Sequence, residues 1–168
     1  HRFLEEVDIH DASGDVDQLM VQGPQALLSL TSIGGLKVEA ALDHFPHELY
    51  GCKPIRLAEF DVLAARLSVT GADGYLLITE RGQGKALLAR LLDSGLQRIS
   101  PEALEILRVE AGIPRWELDV GPTTRISETP LEPIAVSYDK GCYIGQEVVA
   151  KLRNYGKVRR SLMGLVFD

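Results

Sequence analysis

The residues with the clearest chemical potential lie together near the end of the chain, in the segment KGCYIGQE at positions 140–147. Cys142 carries a thiol, and Lys140, two positions before it, would favour the reactive thiolate form. The flanking glycines, Gly141 and Gly145, let the backbone turn sharply or approach a ligand closely. A free cysteine is also one of the residue types most often buried as a small apolar group. The segment therefore predicts either a reactive thiol or a buried structural cysteine at position 142.

Gln146 and Glu147 follow the second glycine of this segment. An amide beside a carboxylate offers the donors and acceptors that can recognise the edge of a heterocycle. The alternative for Glu147 is an acid in the first turn of a helix, where negative charge suits the helix dipole. That alternative explains Glu147 but leaves the glycines without a reason. No other cysteine or histidine lies near Cys142 in the sequence, so we predict no metal site.

The charge of the chain is unevenly distributed. Its formal net charge is −6, which argues against general binding of nucleic acid. Residues 151–160 nevertheless contain five basic residues and no acid: Lys151, Arg153, Lys157, Arg159 and Arg160. Such a run is either a solvated face or, with Tyr155 inside it, a surface that holds a polyanionic tail. Upstream, Arg108 lies three residues after Glu105, the spacing of an ion pair on a helix surface.

Composition places the chain among soluble globular proteins. Of its 168 residues, 45% are hydrophobic and 25% are charged, as in an average folded domain. It contains no apolar run near the roughly 20 residues of a membrane helix, and its acidic, polar start leads us to expect no signal peptide. Its two cysteines do not make a disulfide framework, so we expect a cytoplasmic protein. The chain does not begin with Met and ends on a strand-like pattern, and we expect it to be part of a longer polypeptide.

The first hundred residues contain the elements of an α+β domain. Hydrophobic patterning and turn residues predict strands at 16–22, 61–70, 75–80 and 96–100, and helices at 23–33 and 82–96. The turn at 71–74 joins two of these strands into a hairpin, and Pro24 suits the first turn of its helix. This order is typical of a ferredoxin-like split βαβ fold, an antiparallel sheet with two helices on one face.

The pattern changes after Ser100. A helix is predicted at 100–112, with Ser100 as its N-cap and Pro101 in its first turn. Residues 113–134 contain four of the eight prolines and little periodicity. An irregular segment of this length is usually functional or wraps another domain.

The second half of the chain resembles the folate-binding YgfZ family. The resemblance is carried by RVEAGIP, beginning at Arg108, by TPLEPIAVSYDKGCYIGQE, and by YGKVRRSLMGL after it. The segment KGCYIGQE is similar to the signature of that family. The resemblance is strong over 106–168 and weaker, but in the right order, over 1–100. The family is related to the T-protein, the aminomethyltransferase of the glycine cleavage system.

The resemblance implies a domain organisation. Residues 1–100 would be the ferredoxin-like α+β domain. Residues 101–160 would supply the helix, long loop and KGCYIGQE segment of a folate-binding, aminomethyltransferase-type domain. Residues 161–168 would begin a C-terminal β-barrel.

The resemblance also implies a function and a site. It implies a tetrahydrofolate-binding accessory protein that acts in the assembly or repair of iron–sulfur enzymes, including tRNA-modifying ones. Folate and iron–sulfur enzymes or their assembly proteins would be its partners, without a membrane or direct nucleic-acid binding. Cys142 is the residue that the family ties to activity. The residues expected to bind folate are Arg108, Lys140, Tyr143, Gln146 and Glu147.

Two other functions stay open at this point. One is a folate-dependent one-carbon transferase of T-protein type, whose hairpin turn carries Gly-Glu-Asp-Gly with the glutamate recognising the pterin. Here the turn has Ala72 at that position, and the catalytic aspartate of T-proteins has no counterpart that we can place in this chain. T-proteins also have a different motif in place of KGCYIGQE. The other function is an RNA-contacting module that uses the basic run, which the acidic remainder of the chain disfavours.

Overall fold

The computed structural model describes residues 8–156 and 160–165, and the chain divides into two compact units, residues 1–100 and 101–168. The first unit is an α+β structure with a four-stranded antiparallel sheet. Its elements in chain order are β1 (Val16–Gln22), α1 (Ala26–Ile33), α2 (Ala41–His44), β2 (Cys52–Leu57), β3 (Phe60–Arg66), β4 (Gly74–Glu80) and α3 (Gly84–Asp93). A 3-10 turn, Val38–Ala40, precedes α2. The predicted antiparallel sheet is thus confirmed, and α1 begins two residues beyond Pro24.

The strands lie in the order β1-β4-β3-β2, and every neighbouring pair is antiparallel. The ferredoxin-like order is therefore not confirmed. Three consecutive strands pair as a meander, with a two-residue turn between β2 and β3 and a loop, residues 67–73, between β3 and β4, and β1 adds to the free edge of β4. Residues 96–100, expected to be a strand, have no regular structure. Leu96 packs against the core instead, and the four residues after it are exposed.

One face of the sheet carries the core. In β4, Tyr75 and Leu77 alternate with less buried residues and pack with Leu30 of α1 and Leu87 of α3 in a single cluster. Alternation places successive side chains on opposite faces of a strand, so burial of one set exposes the other. Leu63 of β3 lies in the exposed set, with 40% of its surface accessible.

The carboxylate of Asp17, in β1, fixes the start of α3. Its Oδ2 accepts the backbone N–H of Gly82 at 2.8 Å and that of Gly84 at 2.9 Å. These hydrogen bonds hold the pKa of Asp17 below its ordinary value. A Cβ at position 84 would lie 2.7 Å from the Cβ of Asp17, so this close approach requires glycine. Asp17, although it lies in β1, thus caps the N-terminus of α3.

The side chain of Gln22, the last residue of β1, holds the loop between β3 and β4. Its Nε2 donates to the carbonyl of Leu67 at 2.8 Å, and its Oε1 accepts the N–H of Val69 at 3.0 Å. Asp73 in the same loop pairs with Arg66 at 3.0 Å. The hairpin turn predicted at 71–74 is therefore an ordered loop, anchored from the neighbouring strand.

β2 forms one edge of the sheet, and Pro54 lies within it, opposite Leu63 in the register. Proline has no backbone N–H and is tolerated in sheets mainly on edge strands. The location of Pro54 therefore agrees with the observed strand order.

The second unit contains three α-helices within its described residues: α4 (Pro101–Glu110), α5 (Glu132–Ala135) and α6 (Gln146–Tyr155). The helix predicted at 100–112 is confirmed as α4. Residues 160–165 have no regular structure, and the barrel start expected at 161–168 stays a prediction because 166–168 lie outside the described residues. None of the described helices of either unit has the length and apolar character needed to cross a membrane.

The exposure pattern of α4 is the reverse of that of a core helix. Ile106 and Val109 each have 60% of their surface accessible, whereas only 8% of Arg108 is. Among the described residues, no hydrophobic side chain of the second unit belongs to the buried core. Polar contacts must therefore account for much of the order in this unit.

We expect Leu77→Ala to lower the free energy of unfolding by about 2–5 kcal/mol, because Leu77 is fully buried and its truncation leaves a cavity. Leu63→Ala removes the same atoms from the exposed set and should cost less than about 1 kcal/mol. Urea unfolding followed by far-ultraviolet circular dichroism measures both. Equal losses in the two variants would mean that the exposed set is covered in solution.

Candidate functional site

Arg108 is the centre of a polar cluster in the second unit. Its Nε donates to Glu105 Oε2 at 3.0 Å, and its Nη2 donates to Glu105 Oε1 at 2.5 Å. Its Nη1 donates to Asp119 Oδ2 at 2.7 Å and to the carbonyl of Ile113. Four of the five N–H groups of a guanidinium are thereby used. The ion pair that the sequence predicts between Arg108 and Glu105 forms, with the Arg108 side chain largely removed from solvent and 35% of the Glu105 side chain accessible.

The turn after α4 brings Asp119 back to Arg108. Gly112, with a φ of 67°, ends the helix in the left-handed conformation that glycine adopts easily. The carbonyl of Arg115 then accepts the N–H of Asp119 at 2.9 Å, and Asp119 Oδ2 accepts the N–H of Arg115 at 2.8 Å. The turn is therefore held by hydrogen bonds between Arg115 and Asp119 as well as by the contact of Asp119 with Arg108.

The cluster favours the ionised form of Glu105. Hydrogen bonds from Arg108, together with one from Arg115 Nη1 at 3.1 Å, lower the pKa of Glu105 to about 2. The hydrogen bonds with Glu105 also raise the pKa of Arg108, against the effect of burial. Both groups therefore stay charged at neutral pH, and the charge of the buried Arg108 is met by a carboxylate.

Cys142 lies in the exposed loop before α6. Among the described residues the thiol is therefore not buried, and the role of Cys142 stays a prediction. The backbone around the thiol is ordered by reciprocal hydrogen bonds, because the N–H of Tyr143 donates to Gln146 Oε1 at 3.1 Å and the N–H of Gln146 donates to the carbonyl of Tyr143 at 3.3 Å. Gly145, with a φ of 90°, makes the turn into α6. Lys140 Nζ lies 5.1 Å from the centre of the Tyr143 ring.

A second tie joins this loop to α6. The guanidinium of Arg153 lies 3.7 Å from the centre of the Tyr138 ring, and the Tyr138 hydroxyl donates to Glu132 at 2.6 Å. This hydrogen bond raises the pKa of Tyr138. The loop carrying Cys142 is therefore held near both of its ends, by stacking at one and by hydrogen bonds at the other.

The structure brings together five of the six predicted site residues, those of the KGCYIGQE segment. None of the hydrogen bonds of Arg108 among the described residues reaches that segment; all of them stay within 105–119. Glu147 is an acid in the first turn of α6, as one interpretation of the sequence held, and it pairs with Lys151 at 2.9 Å. Within 8–156 and 160–165, no group of three or more metal-ligating side chains is placed to hold a metal ion.

The described members of the basic run all contact other side chains. Lys151 pairs with Glu147, Arg153 stacks on Tyr138, and Arg160 pairs with Glu128 at 2.8 Å. Lys157 and Arg159 lie outside the described residues, as do 158 and the side chain of Tyr155. The run is thus partly neutralised by acids of its own unit.

Comparison with known proteins identifies the family. The model of the GCVT N-terminal domain matches residues 1–140. The chain belongs to this family. The match ends directly before Gly141 and Cys142, so the KGCYIGQE segment lies almost wholly beyond it.

The relatives of this GCVT family member include aminomethyltransferases. That of Prochlorococcus marinus is 27% identical, over 100% of this chain and 45% of its own length. That of Caldanaerobacter subterraneus subsp. tengcongensis is 28% identical, over 94% and 41%. The crystal structure of glycine cleavage system aminomethyltransferase T from Bartonella henselae matches with a TM-score of 0.53 and 27% identity, over 70% of this chain and 30% of that one. The chain therefore spans less than half the length of the curated relatives it matches.

Two members of the Arg108 cluster were missed from the sequence of this GCVT family member. Asp119 lies eleven residues after Arg108 across an irregular turn, and no periodicity connects the two. Arg115 precedes the single tryptophan, and its approach to Glu105 likewise depends on the path of the turn. The one sequence signal for these contacts was the concentration of charged residues in RWELD, at 115–119, within a segment that has little hydrophobic periodicity.

We expect Glu105→Gln to destabilise the second unit at neutral pH. The lowered pKa means that ionised Glu105 stabilises the fold above the ordinary pKa of 4.5, and that this stabilisation is lost as the pH falls toward about 2. The difference between wild type and variant should therefore shrink over that interval. Urea unfolding followed through Trp116, the only tryptophan, reports on this unit.

Glu110→Gln, on the same helix and exposed, is the matched control and should leave the urea midpoint nearly unchanged. A difference between wild type and Glu105→Gln that stays constant as the pH falls to about 2 would contradict the role given to the Glu105 carboxylate.

Proposed function

We propose that this protein is a tetrahydrofolate-binding accessory factor of YgfZ type, which acts in the cytoplasm in the assembly or repair of iron–sulfur enzymes, including tRNA-modifying ones. The observation that carries the proposal is the exposed thiol of Cys142, on an ordered loop just beyond the part of the chain that matches the GCVT N-terminal domain. Its protein partners would be iron–sulfur enzymes or their assembly factors.

The polar groups around Cys142 fit a folate. The amide NH₂ of Gln146 has no partner among the described residues, because only its Oε1 is used. Glu147 pairs with Lys151 through Oε1, which leaves Oε2 to accept a hydrogen bond. Donors beside an acceptor complement the edge of a pterin ring. When bound, tetrahydrofolate would supply nitrogens that carry a one-carbon unit.

The remaining proposed folate-binding residues have different parts. Tyr143 and Lys140 offer an aromatic face and a positive charge beside Gln146. Arg108 contributes at most its one uncommitted N–H, and in this proposal it acts chiefly by holding the turn that follows α4. The function of Cys142 in the proposal is redox chemistry or ligand transfer, either of which requires an accessible thiol.

A second candidate is a folate-dependent aminomethyltransferase of T-protein type. It is favoured by the names of the relatives, at 27–28% identity. Ala72 counts against it, because a methyl group cannot accept hydrogen bonds from a pterin. The neighbouring carboxylate, Asp73, is occupied by Arg66 at 3.0 Å. The two candidates differ in what they need from Cys142, since one-carbon transfer does not require this thiol.

We expect saturable binding of tetrahydrofolate and of 5-formyltetrahydrofolate in calorimetric titrations of the chain. Lys140→Ala should weaken binding about tenfold, which corresponds to about 1.4 kcal/mol, because a donor and a positive charge are lost beside the ring. Cys142→Ser should bind normally. Lys85→Ala, an exposed lysine of α3, is the charge-matched control. The absence of binding heat with either folate would refute the folate part of the proposal.

We also expect Cys142→Ser to abolish complementation in cells whose iron–sulfur enzyme activity depends on this protein. The matched control is Cys52→Ser, since Cys52 is the other exposed cysteine and should be dispensable. Full complementation by Cys142→Ser, together with aminomethyl transfer to tetrahydrofolate by the purified protein, would replace the accessory-factor proposal with the transferase.

A further inference from the structure

β1 forms the second edge of the sheet, at the opposite side from β2. In the strand order it pairs only with β4, in a register that joins Leu19 to Leu77. Residues 96–100, which the sequence predicts as a strand, have no regular structure and do not pair with it. Among the described residues, therefore, no strand lies on the outer side of β1, and its backbone is open to a further strand.

Two hydrogen bonds just beyond the ends of β1 show which of its backbone groups point outwards. The N–H of Arg81 donates to the carbonyl of Asp15 at 2.9 Å, and the N–H of Gly23 donates to the carbonyl of Asp73 at 2.7 Å. Both pairs continue the register of β1 with β4. In an antiparallel ladder, hydrogen-bonded pairs alternate with pairs whose N–H and C=O groups point away from each other. Because Asp15 and Gly23 have odd numbers, the odd-numbered residues of β1 bond to β4 and the even-numbered ones face outwards.

The outward-facing residues of β1 are Val16, Gln18, Met20 and Gln22. None of their backbone N–H and C=O groups makes a turn or loop hydrogen bond among the described residues. Such a row is a template for a strand from another chain, and proteins usually block it with lysine, proline or a bulge. β2 contains Lys53 and Pro54, whereas β1 contains no proline or basic residue and keeps one register throughout. β1 is thus the unblocked edge of this sheet.

The sequence of β1 is compatible with pairing to itself. If two copies of β1 run antiparallel with Leu19 opposite Leu19, all 7 residues overlap, and each outward-facing residue lies opposite another one. Gln18 then lies opposite Met20 of the second copy, and Asp17, the only charged residue of β1, lies opposite Val21. No like charges meet in this register, which is a condition for stable cross-strand pairs.

Leu19 would gain most from such pairing. It packs against the core of its own unit but is only partly buried. In the register described above, the two Leu19 side chains form a non-hydrogen-bonded pair, the arrangement in which side chains of opposite strands lie closest. Their contact would therefore remove apolar surface from water at the border of both cores.

We infer that β1 is a dimerisation edge, on which β1 of a second copy of this chain adds antiparallel about Leu19. The two four-stranded sheets thereby become one continuous sheet. The outward-facing N–H and C=O groups of both copies gain partners, two hydrogen bonds for each bonded pair of residues. The inference uses only the first unit and does not depend on the proposed function.

Sedimentation equilibrium of the whole chain measures the association. A reducing agent is present, so that the exposed thiols of Cys52 and Cys142 cannot link two chains. An interface of one strand on another is smaller than a standard protein interface, so we expect a reversible dimer with a dissociation constant on the order of 10 µM. A chain that stays monomeric at about 1 mM, roughly a hundredfold above that value, would overturn the inference.

Amide hydrogen exchange, followed residue by residue by nuclear magnetic resonance, tests which groups pair. The N–H groups of Leu19 and Val21 bond to β4 and should be protected at every protein concentration. Those of Gln18 and Met20 should become protected only as the dimer forms. A dimer in which the amides of Gln18 and Met20 exchange as fast as in the monomer would associate through another surface, which would also overturn the inference.

The register is tested with charges at positions 18 and 20, which are both exposed. Gln18→Lys together with Met20→Lys brings lysines opposite each other across the proposed edge, and we expect the dissociation constant to rise about tenfold. Gln18→Glu together with Met20→Lys places opposite charges at the same two positions and should associate like wild type. Equal weakening in the two double variants would contradict pairing about Leu19.

Leu63→Lys is the matched control for association through the face of the sheet. Leu63 is exposed and lies in line with Gln18 through Ile78 of β4, but it belongs to β3 and is therefore remote from the β1 edge. This variant should dimerise like wild type, and circular dichroism checks that each variant is folded. Loss of the dimer in Leu63→Lys would mean that two sheets associate face to face and that the edge inference is wrong.

Discussion

A guanidinium removed from water needs carboxylates and carbonyls as hydrogen-bond acceptors, and in the second unit Arg108 is the group with this need. The described part of that unit buries no hydrophobic side chain, and Arg108 is the one residue there that is buried. Hydrogen bonds are directional, whereas apolar contacts are not. The position of Asp119 and the course of the turn after α4 are therefore set by the geometry of one side chain.

The two units are stabilised by different kinds of interaction. The first buries one face of a sheet beneath helices, and its polar contacts, such as those of Asp17 and Gln22, fix the ends of elements that the core already holds. The second relies on ion pairs, stacking and turns. Such an arrangement leaves many side chains at the surface without loosening the backbone. Exposure of Cys142 and of Trp116 on ordered segments follows from it.

The sequence predicted what depends on local pattern. The strand at 16–22 follows from alternation alone, and the pairing of Arg108 with Glu105 follows from helical spacing. Strand order did not follow, because it depends on which distant edges meet, and residues 96–100 have a strand-like composition but no partner. Asp119 was missed for the same reason. The family match covers residues 1–140 and supports the wider family related to the aminomethyltransferases, whereas the YgfZ branch that KGCYIGQE indicates stays a proposal, as does the role of Cys142.

Pro54 also affects how readily the sheet can aggregate through its edge strand β2. The free edge of a sheet is a template on which a strand from another molecule can add, and repeated addition leads to fibrils. β2 is such an edge, but a proline within it interrupts the row of donors that an incoming strand would need. Pro54 therefore makes this edge of the sheet less able to accept a strand from another molecule, and so less prone to aggregation.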